Sequence, residues 1–267
     1  PADLADVDVV LFDLQDVGAR FYTYISTLHY VMEACAEEGK ECIVLDRPNP
    51  NGHYVDGPIL EESYQSFIGL HPVPVVHGMT IAEYGKMVNE EGWLKDSIRC
   101  LLYVVPCQFY NHRKRYTLPV RPSPNLPNMR AVYLYPSLCF FEGTAISVGR
   151  GTESPFQIYG APKMTEGSFE FTPEQVPGVL HPKHEGKLCK GFDLSDLSVD
   201  SLAQDTAINL NYLLEVYRSY PEQDDFFLKN GFFELLAGTE GLRKAIQEGA
   251  TEAEIRAEWQ EGLAQFK

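Results

Sequence analysis

Along the first third of the chain, unbroken apolar runs alternate with helically spaced ones. Residues 7–14, VDVVLFDL, read as a strand. Over residues 25–38, Leu28, Met32, Cys35 and Ala36 recur at intervals that share one helix face, and Gly39 supplies the stop. A second strand, CIVL at 42–45, runs straight into a Pro/Asn/Gly turn. VPVV then gives a short strand, and Thr80 and Glu83 stand three apart as a capping box opening the next helix. RCLLYVVPC is a further continuous apolar run. Uninterrupted apolar strands separated by helices predict a Rossmann-like α/β fold, with a mostly parallel sheet and helices on both faces.

From about residue 120 the pattern changes. Prolines crowd LPVRPSPNLPN, residues 131–150 are rich in aromatics and glycine, and residues 160–198 read as loops and short strands. Helical spacing returns over 201–220, 226–237, 239–248 and 251–264, the last opened by a second capping box, Thr251 and Glu254. The expected organisation is a Rossmann-like domain at 1–120, lacking its first strands, and a smaller α+β auxiliary domain with a helical C-terminus at 121–267.

Composition narrows the partners. A formal charge of −16 opposes nucleic acid or an anionic membrane surface, which need a basic footprint. It leaves room for a small anion held by a local group of arginines. No run approaches the roughly 18 apolar residues of a membrane span. The six cysteines show no CxxC or zinc spacing and read as buried free thiols. The chain opens without an initiator Met or a signal-peptide pattern. Nothing in the pattern speaks to oligomeric state.

Polar groups gather where strands end. Asp13, Gln15, Asp16 and Arg20 follow the first strand, Asp46 and Arg47 the second, and His77 the VPVV run. Ligands of open parallel sheets bind beyond the carboxyl ends of the strands, so these groups are expected to converge on one rim. The densest stretch is FFEGTAISVGRGTESPF. There Glu142 lies among Phe140, Phe141 and Gly143, a setting that suits a general acid, and Arg150 has the fork geometry that grips a carboxylate. Gly143, Gly149 and Gly151 are read as points of close approach to a ligand. RPSPNLPN presents Arg121 and Asn125 on a rigid loop suited to sugar hydroxyls, and Tyr22 is one of several rings able to stack on a pyranose. No GxGxxG follows the first strand, and no HExxH, P-loop or GxSxG is present, so neither a cofactor nor a metal is expected.

FDLQDVGARFYTYISTL, VLDRPNPNG, HGMTIAEY, RPSPNLPN and FEGTAISVGRGTESPF, in this order, resemble the bacterial exo-β-N-acetylmuramidases, long known as a domain of unknown function. The likeness extends to the C-terminal tail. It implies a periplasmic or extracellular glycoside hydrolase that releases N-acetylmuramic acid from the non-reducing end of peptidoglycan fragments during cell-wall turnover and recycling. It also implies a cleft between a Rossmann-like and an auxiliary domain. The family pattern includes an upstream Pro-Glu-His-Gly portion that this sequence does not contain; HPKHEG at 181–186 lies in another context. Glycosidic hydrolysis calls for two carboxyl groups, here Glu142 as acid with Asp13 or Asp16 as partner. Arg20, Arg47, Arg121 and Arg150 are the candidate clamps on the lactyl anion. Tyr22, Asp46, Asn49, His77 and Asn125 are expected to bind the sugar. Two other readings fit the same residues: a non-catalytic peptidoglycan-sugar binding protein, and a metal-assisted sugar-phosphate hydrolase built on Asp13, Asp16 and Asp46.

Overall fold

The computed structural model describes residues 2–267. Strands β1 (Val9–Phe12), β2 (Glu41–Leu45) and β5 (Leu101–Val105) form a parallel sheet in the order β1-β2-β5. Helices α1 (Tyr24–Glu37) and α2 (Ile81–Glu90) are the crossovers. α1 presents Ile25, Leu28, Met32 and Cys35 to Phe12, Cys42 and Val44 of the sheet, as its spacing predicts. Thr80 and Glu83 close the expected capping box at α2. This is the α/β, Rossmann-like arrangement read from the pattern.

The expectation of helices on both faces is corrected in part. Both helices pack on the face that carries Phe12, Cys42 and Val44. On the other face Leu11 is 62% exposed, Leu101 55% and Tyr103 51%. The strands are apolar on both sides, but among the described residues only one side is covered.

The VPVV run is not a member of the parallel sheet either. Its strand β4 (Pro74–Val76) pairs antiparallel with β3 (Asp56–Ile59) as a separate two-stranded ribbon. A bridge from Ala19 to Val76 ties that ribbon to the segment leaving β1.

The remaining elements gather on a second, larger core. Helix α3 (Met129–Leu138), capped by the Asn128 side chain, runs into a 3₁₀ turn, Cys139–Gly143. Three antiparallel strands follow, β6 (Ile158–Ala161), β7 (Phe169–Phe171) and β8 (Cys189–Asp193), in the order β6-β8-β7. Helices α4 (Val199–Leu202), α5 (Asn211–Ser219), α6 (Phe232–Ala237), α7 (Gly241–Gln247) and α8 (Glu252–Phe266) complete the chain. The helix expected over 201–220 is broken between α4 and α5, where Asp56 accepts the Ile208 N–H. The helix expected over 226–237 starts only after Gly231, whose φ of 71° interrupts it. All six cysteines are free thiols, five of them buried.

Candidate active site

The segment that leaves β1 builds one wall of the site. Asp16 accepts the Gly18 N–H at 2.6 Å and fixes the first bend. Arg20 then turns inward. Its guanidinium is fully buried and donates to the carbonyls of Pro58, Val73, Leu236 and Ala237 at 2.6–3.1 Å. With the chain pinned there, Phe21, Tyr22, Thr23 and Tyr24 face a cavity of about 540 Å³. The Tyr22 hydroxyl donates to the Pro122 carbonyl at 2.8 Å, which draws the RPSPNLPN loop up as a second wall through Pro122, Ser123 and Asn125. Burial raises the Tyr22 phenol beyond its ordinary range, with the Tyr24 and Asp16 charges adding to the effect, so it stays a neutral donor.

Glu142 and Arg150 face this cavity from the opposite side. α3 delivers Glu142 on the 3₁₀ turn. That turn lies so tightly against α6 that a Cβ on Gly143 would sit 2.4 Å from the Phe233 Cα. Arg150 binds Glu142 as a fork, Nε to Oε1 at 2.5 Å and Nη2 to Oε2 at 2.9 Å. Its guanidinium also lies 5.0 Å above the Phe156 ring, a cation–π contact that holds the fork flat. Both carboxylate oxygens therefore carry an N–H donor. Phe232 and Leu236 of α6 close the floor with Tyr135 of α3.

Of the residues expected in the site, Glu142, Arg150, Tyr22 and Asn125 come together here. The others do not line this cavity. Asp13 is exposed and paired with Arg47 at 2.7 Å, beyond the ends of β1 and β2. Asp46 accepts the Ala82 N–H in the first turn of α2. Asn49 is buried, donating to the Met79 carbonyl and accepting from Asn51. His77 is buried, its Nδ1 accepting from Met79 and its Nε2 3.6 Å from Asp16. Arg121 is exposed on its loop. The strand-end groups do meet one another, Asp13 with Arg47, Gln15 with the Pro48 carbonyl and Asp16 with His77, but away from the cavity that Glu142 lines. Among the lining residues Glu142 is the single carboxylate, so neither Asp13 nor Asp16 faces it across the cavity. The three aspartates of the metal-assisted reading each have another partner, and among the described residues no three His, Cys, Asp or Glu are placed to share an ion. The glycines approach protein rather than open space: Gly149 packs on Ile158 and Gly151 on the Glu174 carbonyl.

Contributors that escaped the sequence reading include Tyr135, Phe232 and Leu236, and Lys183, which lies beneath the Glu142 turn. The i, i+4 spacing of the two α6 residues marks a helix face but not what that face covers. A lone Lys in HPKHEG gives no signal at all.

A carboxylate held in an arginine fork on the wall of a hollow of about 540 Å³, with aromatic side chains around it, has the make-up of a saccharide-binding site. Two family descriptions match the chain end to end: "Exo-beta-N-acetylmuramidase NamZ, N-terminal" over residues 1–130 and its C-terminal counterpart over 133–267. The chain belongs to the exo-β-N-acetylmuramidase family. It is 40% identical over 282 residues to the peptidoglycan β-N-acetylmuramidase NamZ of Bacillus subtilis, covering 100% of this chain and 67% of that protein. A DUF1343 family protein of Bacteroides fragilis has a crystal structure that superposes with a TM-score of 0.94 at 49% identity, over 99% of this chain and 74% of that one. A second B. fragilis member superposes with a TM-score of 0.83 at 26% identity, over 100% and 74%.

Proposed function

We infer that the chain is an exo-β-N-acetylmuramidase, a hydrolase that removes N-acetylmuramic acid from the non-reducing end of peptidoglycan-derived saccharides. The observation that carries the assignment of residues is the Glu142–Arg150 fork on the cavity wall. The sugar's lactyl group is a carboxylate, and it competes with Glu142 for the same guanidinium. When the lactyl anion takes the fork, a Glu142 oxygen is released toward the glycosidic oxygen. Freed from the guanidinium, Glu142 takes up a proton and delivers it to the glycosidic oxygen as the C1–O bond breaks; a water molecule then adds to C1 and gives a proton back to Glu142. Tyr22, Tyr24 and Tyr135 pack against the sugar ring, and Asn125 hydrogen-bonds its substituents. A glycoside without the lactyl group leaves Glu142 locked to Arg150, which gives selectivity for muramic acid over glucosamine.

The division of labour proposed is a Rossmann-like unit over the first 120 residues and an auxiliary α+β unit over the rest, each lending a wall to the cavity. A peptidoglycan substrate puts the work in the periplasm or outside the cell. The test is turnover of a chromogenic N-acetylmuramic acid glycoside. Glu142→Gln is expected to lower it at least about a hundredfold, the size of an acid–base contribution. Near-normal turnover in that variant removes Glu142 from the reaction. Arg150→Lys keeps the charge but loses the fork, and is expected to raise KM for the muramic acid glycoside roughly tenfold. An unchanged KM would remove Arg150 from substrate binding.

A further inference from the structure

The turn that carries Glu142 sends its backbone carbonyls to an unusual destination. Within residues 141–146, the carbonyls of Phe141, Glu142, Thr144 and Ile146 all converge on the Nζ of Lys183, at 3.1, 3.2, 2.5 and 3.0 Å. The next residue, His184, takes the Ala145 carbonyl at 2.6 Å, and the Gly143 carbonyl accepts from Leu228. Two adjacent side chains thus hold five of six consecutive carbonyls, and they do so from a segment distant in sequence. His184 adopts a left-handed backbone, φ 62°, to reach its place. A non-glycine residue there is strained, so the surrounding contacts must over-determine it.

Four carbonyl dipoles aimed at one point repel one another unless a cation sits between them. An ammonium has three N–H donors, so four acceptors must share them, and only its charge satisfies all of them at once. Among the described residues Lys183 is the cation that these carbonyls bond, and Arg150 is spent on the Glu142 carboxylate.

We propose that Lys183 is a positioning residue of this enzyme: its ammonium gathers the 141–146 carbonyls into the one shape that presents the Glu142 side chain to the cavity, and the turn relaxes when that charge is lost. The proposal rests on Glu142 acting as described above. It has a consequence in pH. Burial lowers the Lys183 ammonium to about 8, with Glu142 opposing the shift and Arg150 adding to it. The other groups facing this point keep their charge state across that range. Burial pushes the Cys139 thiol far up, so it stays neutral. Burial lowers the His184 imidazole, so it too stays neutral. For Arg150 burial acts downward but Glu142 outweighs it, and the guanidinium stays charged. Lys183 is therefore the group whose charge changes as pH rises through about 8.

The experiment compares the wild-type protein with Lys183→Arg and Lys183→Ala in two measurements. In kcat against pH for the chromogenic muramic acid glycoside, Glu142 must hold its proton in both proteins, so its effect cancels in the ratio of wild-type to Lys183→Arg kcat, and that ratio is expected to fall above about pH 8. Lys183→Arg, whose guanidinium does not lose its proton, is expected to keep at least about a tenth of the activity below that pH. Lys183→Ala is expected to lose about a hundredfold in kcat with little change in KM, and to regain at least about tenfold with added propylammonium but not with sodium. The second measurement needs no turnover. Amide exchange of the 141–147 segment, corrected for its intrinsic pH dependence, is expected to lose protection between roughly pH 7 and pH 9 in the wild type and to keep it in Lys183→Arg. Identical alkaline limbs in wild type and Lys183→Arg, or pH-independent protection in both, overturn the proposal. A wild-type protein that turns over no muramic acid glycoside overturns the functional reading instead, and the exchange measurement still decides the role of Lys183. Should Lys183→Ala not fold, the Lys183→Arg comparison decides both arms.

Discussion

Replacing Arg20 with Met removes a buried guanidinium from the junction of three elements while keeping most of its linear stem. Nη1 donates to Pro58 in β3 and to Val73 just before β4, and Nη2 donates to Leu236 and Ala237 in α6. The reach into α6 is possible only because position 238 is glycine; a Cβ there would lie 2.5 Å from Nη2. Among the described residues no carboxylate pairs with Arg20, and burial lowers it to about 10, so its own desolvation offsets part of what the bonds contribute. A hydrogen bond from a charged donor contributes about 1.5–3 kcal/mol, and removing the donor strips it from the Pro58, Leu236 and Ala237 carbonyls, while Val73 keeps the Leu60 N–H. The net loss is set by those stranded acceptors and is about 3–5 kcal/mol, the range for breaking a buried charged interaction. Urea unfolding checks this. With a slope of about 3 kcal/mol/M for a chain of this size, the midpoint of Arg20→Met is expected about 1–1.7 M below wild type. Because the guanidinium does not line the cavity, KM for the muramic acid glycoside in the folded fraction is expected to stay within about twofold. An unchanged midpoint together with a KM raised tenfold or more would refute this and restore Arg20 as a substrate clamp.

His71 gives a test in pH. Its imidazole bonds the Tyr84 hydroxyl at 2.9 Å and the His29 ring at 3.0 Å, and burial, aided by His29, lowers it to about 3 from an ordinary 6.5. The unfolded chain takes up the proton first, so the stability from His71 is complete above about pH 6.5 and is lost as pH falls toward about 3. The loss approaches about 1.4 kcal/mol per pH unit in that window, and His71→Gln is expected to flatten the fall in urea midpoint between roughly pH 7 and pH 4.5. Equal slopes in the two proteins would show that His71 does not carry it. Gly143→Ala puts a methyl group into the Phe233 backbone, so the Glu142 turn or α6 must move. The expected result is a loss of about 1–3 kcal/mol in stability, read as a Tm lowered by several degrees, together with reduced turnover. A variant with wild-type Tm and kcat would show that the contact yields freely.

What could be read from the chain was whatever depends on neighbours in sequence. α1 shows its face through Leu28, Met32 and Cys35, and the two capping boxes are written at Thr80–Glu83 and Thr251–Glu254. Glu142 and Arg150 were readable for the same reason: eight residues apart in one glycine-rich stretch, they pair with each other. Strand partnership was not, since nothing in VPVV distinguishes a strand that joins the parallel sheet from one that pairs with Asp56–Ile59 in a ribbon of its own. That single difference leaves His77 buried beside Asp16 and off the cavity that Glu142 lines. Arg20 was misread on another ground. Its partners are all backbone carbonyls, which every residue possesses, so no partner residue marks it as structural. Lys183 is bound in the same way and was overlooked where Arg20 was overvalued. In this protein Arg20 and Lys183 act on the main chain, and Arg150, which lines the cavity, is the one whose acidic partner the sequence spells out beside it.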